Sequence, residues 1–301
     1  MSSSTSQGWT RQSMCASWYA LVRRVDAFRG VSTLRTLRGL DSWSHRWTYF
    51  RFVVESRLGI PYRGALAPTE SSPRVTRDGY QFEPRDGTVD REVLYPFHEV
   101  QTRSFLRRHF AGRRAGGVFV DVGAHCGSLS IPFESFFEKV LSIEPLPDNY
   151  RALERNIALN DLQPKITAFN LAAGATNARG TLFIEKDDTS SLIRMEAPAG
   201  SLDVTVRPID DVLNDEGVQA AEVRLLKVDV EGAEMDVLAG ARDLLEKGSP
   251  ILVLEANTAA AKNSLEMFME RMGYLLVRIA DGRNLCFRRF PSRRHGDRPS
   301  A

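Results

Sequence analysis

The chain has 301 residues, 43% of them hydrophobic, and a formal net charge of +2, which suits one globular domain of ordinary size with an extension and excludes a fibrous or wholly disordered chain. The charge is uneven: residues 1–60 hold nine arginines, no lysine and only Asp26, Asp41 and Glu55, residues 288–301 hold five arginines against Asp297, and the span between is left by difference with about −8. An acidic central domain argues against a nucleic-acid substrate lying across it, because phosphates need a basic track.

In chain order, Met1–Thr10 is rich in Ser and Thr and reads as disordered. From Met14 to Leu40 apolar residues recur at Trp18, Leu21, Val25, Phe28, Val31, Leu34 and Leu37, the spacing of an amphipathic helix, with Arg23, Arg24, Arg29, Arg35 and Arg38 opposite. Such a helix could lie on an anionic membrane surface or pack as a cap, and packing is the plainer reading. Trp43 to Leu58 continues helical, and Pro61–Pro73 reads as a linker. The expected organisation is therefore a basic helical extension over 1–73, a catalytic domain over 74–290 and a basic tail over 291–301.

No run reaches the length of a membrane span, and Arg23 and Arg24 close the short apolar run before them without a cleavage site. Cys15, Cys126 and Cys286 are odd in number, widely spaced and in no metal-ligand pattern, so a reduced, cytoplasmic setting is expected, with peripheral membrane contact open to the basic helix. Cys126 reads as a small apolar filler at a helix start.

Arg74–Asp90 suggests a short hairpin, and Arg91–Phe110 a helix in which His98 and His109 would be surface residues. Thereafter strand and helix alternate, which points to a parallel sheet covered on both faces. Strands are predicted at Val118–Val122, Lys139–Ile143, Ile166–Ala172, Val223–Asp229, Ile251–Glu255, Tyr274–Ile279 and Leu285–Arg289, and helices at Ser128–Phe137, Asp148–Leu159, Ala233–Leu245 and Ser264–Met272. Two further strands are expected within Thr181–Val206, then a short helix over Asp210–Asp215. Only a hairpin-length loop separates the last two strands, so the final one must be antiparallel.

The stretch VFVDVGAHCG, Val118 to Gly127, is a buried strand running through a glycine-punctuated turn into a helix. The next strand ends in Glu144, where a carboxylate can accept hydrogen bonds from the two hydroxyls of a ribose. A dinucleotide fold would need glycines where the chain has His125 and Ser128, so a dehydrogenase is the weaker nucleoside-binding reading. Asp121, Gly123, His125, Gly127, Glu144, Asn170 and Ala172 are the candidate cofactor residues. Asp121 could hold the turn or touch the ligand, and Asn170 with the Ala172–Ala173–Gly174 turn would pass its base.

DVGAHCG, IEP at Ile143–Pro145, RPIDDVL at Arg207–Leu213, the DVEGAE run within Leu226–Ala241, and ILVLE at Ile251–Glu255 together resemble the FkbM-type methyltransferases, over roughly Arg85 to Phe290. His125 departs from the Asn that many relatives carry there. The resemblance implies a Rossmann-like class I α/β fold with a seven-stranded sheet, S-adenosylmethionine as cofactor, and O-methylation of a sugar, glycolipid or secondary-metabolite hydroxyl. A non-catalytic cofactor-binding scaffold of the same fold is the other reading.

On the fourth strand a period of two puts Leu225, Lys227 and Asp229 on one face, so a lysine and an aspartate sit where burial is expected and must neutralise each other or a ligand. Asp229 is the first candidate for removing the acceptor's proton, followed by Glu231 and Glu255, with Lys227 positioning Asp229. Asn257 could line the acceptor pocket, whereas Glu234 is as well explained by the preference of acids for a helix's first turn.

Overall fold

The computed structural model describes residues 74–86, 88–94, 98–113, 116–184, 190–192 and 200–289. The helices expected over 14–58, the linker and the basic tail lie outside the described residues. Strands β1 (Val75–Arg77) and β2 (Tyr80–Phe82) form the hairpin expected after Arg74. The helix expected over Arg91–Phe110 is two, α1 (Asp90–Val93) and α2 (Val100–Phe110).

The domain continues through β3 (Val118–Val122), α3 (Ser130–Phe133), β4 (Lys139–Ile143), α4 (Pro147–Leu159) and β5 (Ile166–Phe169). The helix expected over Ser128–Phe137 starts late as α3, because Pro132 has no N–H to donate back to the Ser128 carbonyl, and it continues as a 3-10 turn at Glu134–Phe136. The third strand was expected to reach Ala172. It stops at Phe169, and Ala172–Ala173 (β6) joins a second sheet with β7 (Ala178–Ile184), β8 (Ser190–Ser191) and β9 (Gly200–Arg207).

After α5 (Ile209–Asp215), strand β10 (Val223–Val228) ends one residue early, and the Asp229 N–H bonds to the Val122 carbonyl at 3.0 Å. The helix expected over Ala233–Leu245 is α6 (Glu234–Ala239) and α7 (Arg242–Lys247). The break falls at Gly240, where an added Cβ would lie 2.0 Å from the Gly174 carbonyl oxygen, so a long-range approach decides it. The chain closes with β11 (Ile251–Glu255), α8 (Ala259–Arg271), β12 (Tyr274–Ala280) and β13 (Asn284–Arg289). Helix α8 begins before the expected Ser264 because Thr258 caps it, its hydroxyl accepting from Ala261 N–H at 3.1 Å.

The large sheet has the order β12–β13–β11–β10–β3–β4–β5, and β13 is antiparallel to both neighbours while the other pairings are parallel. This is the seven-stranded Rossmann-like arrangement with a reversed last strand. Alternating strand residues feed two cores. Val120, Val122, Leu226, Val228, Leu252 and Leu254 pack with α5 to α8 on one face, and Phe119, Val140, Leu225 and Val253 with α2 to α4 on the other. The chain leaves β3 toward β4 on one side and returns as β10 on the other, and a crevice at the strands' carboxyl ends follows from that reversal. Among the described residues no helix is long and apolar enough to cross a membrane.

Candidate functional site

A cavity of about 290 Å³ opens where β3, β4, β10 and β11 end, and the sheet order puts Glu144 toward one end of it and Glu255 toward the other. Gly123 follows β3 with φ +79°, and a Cβ there would lie 1.8 Å from the Asp229 carbonyl oxygen. Glycine at this turn is thus required twice over, by its left-handed backbone and by the contact with the β10 loop. Its N–H and that of Ala124 bond to the Ile143 carbonyl at 2.9 and 3.1 Å, which ties the turn to the tip of β4.

Glu144 is buried and accepts from His125 N–H at 2.9 Å, from Leu146 N–H at 3.0 Å and from Asn149 Nδ2 at 3.4 Å. Burial outweighs these donors and pushes its carboxyl up to about 7. His125 adopts φ +51°, and its ring lies against the cavity with Nε2 3.6 Å from Asp90. Both ring nitrogens are buried with no hydrogen-bond partner among the described residues. Burial lowers the ring to about 4, against the pull of Asp90, so the imidazole is neutral at physiological pH. Asp90 is itself held by Arg85, through its Nε at 2.8 Å and Nη2 at 2.7 Å, and Arg85 Nη2 also reaches Asn149 Oδ1 at 2.8 Å.

Toward the other end, Asp229 meets Lys227 Nζ at 2.8 Å. Burial alone would raise the aspartate, yet the ammonium and a hydrogen bond with Glu255 hold it well below the usual carboxylate range. Lys227 is held up in turn by Asp229, Glu99 and Asp121, despite burial. Glu255 is pushed up to about 9, by burial first and then by the charge of Asp229, and it pairs with Arg283 at 2.9 Å. Asn257 Nδ2 donates to Glu231 at 3.0 Å and to Glu255 at 3.1 Å. Glu231 sits at φ +52°, its carbonyl accepting from Ser191 Oγ of β8 at 2.8 Å. Asp229, Glu231 and Glu255 each bring an oxygen within 4.8 Å of the others, a spacing that could hold a divalent cation, and so do ligand atoms of Asp90, His125 and Cys126. Lys227 already offsets the charge of Asp229, Glu255 held at about 9 is protonated at neutral pH, and burial keeps the Cys126 thiol protonated.

Of the residues singled out in the sequence, Gly123, His125, Glu144, Ala172, Asp229, Glu231 and Glu255 line the cavity. Asp121 lies beneath the turn, where its Oδ2 accepts from Ser130 Oγ at 2.5 Å, and Gly127 packs on Ile131 and Leu153. Asn170 turns its amide to the Glu144 and Pro145 carbonyls, each at 3.0 Å, and so buttresses the strand end. Lys227 stands behind Asp229, and Glu234 accepts the Gly232 N–H at 3.0 Å at the start of α6. His98, expected at the surface, lines the cavity, as do Val89, Val93, Leu182, Ser191, Leu192 and Arg283, none of which carried a local signal. His109 does stay out of the cavity, between Phe105 and Phe110.

Residues 121–276, a little over half of the chain, match the methyltransferase FkbM domain. The chain belongs to the FkbM methyltransferase family. Among curated relatives, methyltransferase sdnD of Sordaria araneosa is 29% identical over 233 residues, covering 63% of this chain and 88% of that protein. Methyltransferase 1 of Beauveria bassiana (strain ARSEF 2860) is 27% identical over 146 residues, covering 41% of this chain and 58% of that protein. The crystal structure of methyltransferase FkbM from Methylobacillus flagellatus KT is 21% identical, with a TM-score of 0.44 over 69% of this chain and 56% of that one. The FkbM match takes in the Gly123–Gly127 turn, Glu144, Asp229, Glu231 and Glu255, and leaves out Val89, Val93, His98 and Arg283.

Proposed function

We propose that the protein uses S-adenosylmethionine to methylate a hydroxyl of a small molecule, a sugar, a glycolipid or a secondary metabolite. The observation that carries the cofactor is Glu144, a buried carboxylate ending β4 beside the Gly123–Gly127 turn. The residues present fit a nucleoside. Glu144 would take the two ribose hydroxyls, the unpartnered ring nitrogens of His125 would meet polar atoms of the ligand, and Ile143, Pro145, Ala172 and Ala173 offer apolar surface for the base. Bound there, S-adenosylmethionine supplies an electrophilic methyl group on a sulfonium.

The acceptor end suits a hydroxylated molecule with an apolar part, since Asp229, Glu231, Glu255 and Arg283 face it together with Leu182, Leu192 and Val230. The preference for oxygen rests on the FkbM resemblance. The sequence ranks Asp229 first for removing the acceptor's proton, but an aspartate held this low by Lys227 is a weak base, and the pair serves better to set the local charge.

Glu144 makes cofactor binding pH-dependent. A carboxylate that accepts two hydroxyls must be ionised, so below about 7 binding has to expel its proton. Affinity for S-adenosylhomocysteine should therefore fall about tenfold per pH unit below that value and level off above it, while Glu144→Gln shows no such slope. Isothermal titration from pH 5 to 8 checks this, and a flat wild-type profile would remove Glu144 from the ribose site.

A further inference from the structure

We infer that His98 is the catalytic residue that takes the acceptor's hydroxyl proton, an assignment that rests on the methyltransferase reading above. His98 lines the same cavity as Asp229, Glu231, Glu255 and Arg283, yet it comes from the loop before α2, outside the FkbM match.

That loop is built to hold it. Arg77 Nη2 donates to the His98 carbonyl at 3.2 Å, and the same guanidinium reaches the Val93 carbonyl. Glu99 adopts φ +48°, a strained conformation for a residue with a Cβ, and its buried carboxylate accepts from Asn284 Nδ2 at 2.9 Å. Asp281 accepts the N–H groups of Gln101 at 3.0 Å and Thr102 at 2.9 Å, and the Thr102 hydroxyl at 2.8 Å. Residues 98–102 are thus bolted to the β12–β13 turn that carries Arg283, and the left-handed Glu99 sets the path of the chain at His98.

The ring contrasts with its neighbours. Asp229 is paired with Lys227 and Glu255 with Arg283, whereas the His98 imidazole makes no hydrogen bond or ion pair among the described residues, and its Nδ1 is buried. Glu99 and Asp229 pull its proton affinity up, Arg77 and Arg283 pull it down, and burial, the largest influence, lowers it to about 4. The ring is neutral at working pH and so has a lone pair to offer, and at about 4 it is still a stronger base than Asp229, which Lys227 holds lower. In the transfer, the acceptor oxygen forms the new bond to the methyl carbon as the carbon–sulfur bond breaks, its electron pair stays on sulfur as a neutral thioether, and the hydroxyl proton passes to the imidazole. The Glu99 and Asp229 carboxylates stabilise the imidazolium until solvent takes the proton.

The test uses the full chain, labelled S-adenosylmethionine and a library of sugars, glycosides and hydroxylated secondary metabolites. His98→Gln should lower the rate of methyl transfer by about 10²- to 10⁴-fold and leave S-adenosylhomocysteine affinity and the unfolding midpoint at wild-type values. Nitrogen-15 spectra of the wild-type histidines should show the His98 ring neutral at pH 7, whether or not the variant folds. An unchanged rate in His98→Gln, or an imidazolium at pH 7, overturns the assignment alone. A wild type that binds no S-adenosylhomocysteine overturns the functional reading and the assignment with it.

Discussion

Replacing Glu144 with alanine is expected to weaken S-adenosylhomocysteine binding by at least about tenfold and by up to about a thousandfold, from two charge-assisted hydrogen bonds of roughly 1.5–3 kcal/mol each. His125 N–H occupies one direction on Oε2, and Leu146 N–H with the long 3.4 Å Asn149 contact occupies Oε1, so of about four lone-pair directions the two ribose hydroxyls would take the free one on Oε2 and displace the weak Asn149 contact on Oε1. Alanine also leaves the His125 N–H without its acceptor, so the Gly123–Gly127 turn loosens along with the lost ligand contacts. Calorimetry on Glu144→Gln helps apportion the two effects, because the amide oxygen keeps an acceptor for the His125 N–H of the turn while the charge and the acceptor for Leu146 N–H are lost. Unchanged affinity in Glu144→Ala would mean that the ribose binds elsewhere.

The second large effect is on stability. Lys227 is buried and is the counter-charge to Asp229 at 2.8 Å, with Glu99 and Asp121 also drawing on it. Lys227→Met leaves these carboxylates buried without their ammonium, and removal of one partner from a buried pair costs about 3–5 kcal/mol. For a domain of this size the thermal midpoint should drop by roughly 6–20 °C. The sign with pH is fixed by the depressed groups. Asp229 and Glu99 have folded-state proton affinities below the ordinary carboxylate range, so the stability they confer through Lys227 is present above that range and lost as pH falls through the folded values. The deficit of the variant should accordingly be largest near neutrality and shrink in acid. A midpoint within a few degrees of wild type at pH 7 would show that Lys227 is not the charge that holds the tip of β10.

Strands β3, β4 and β11 were legible to the residue, because a run of apolar side chains buried on both faces has few alternatives and each run ends at a glycine turn or an acid. The same logic made Glu144, Asp229 and Glu255 visible as candidates, since a carboxylate closing an apolar strand is poorly explained by packing. What escaped the sequence was decided by distant residues. The break at Gly240 comes from contact with Gly174, and the switch of Ala172–Ala173 into a second sheet from pairing with Val206 and Arg207. The amide of Asn170, singled out for the cofactor, binds the carbonyls beside Glu144, a contact no local pattern signals. His98 looked like a surface residue of a continuous helix, and its place in the cavity depends on Asp281 and Asn284, more than 180 residues away in the chain from Glu99 and on the opposite edge of the large sheet from β4.

The most direct measurement of the central claim is mass spectrometry of the hydroxylated library after incubation with the full chain and S-adenosylmethionine carrying a deuterated methyl group. The expected product is heavier by one labelled methyl on oxygen, formed with stoichiometric S-adenosylhomocysteine and absent with Glu144→Ala at low cofactor concentration. Binding of S-adenosylhomocysteine with no labelled product from any hydroxyl, or label recovered on nitrogen or carbon, would contradict it.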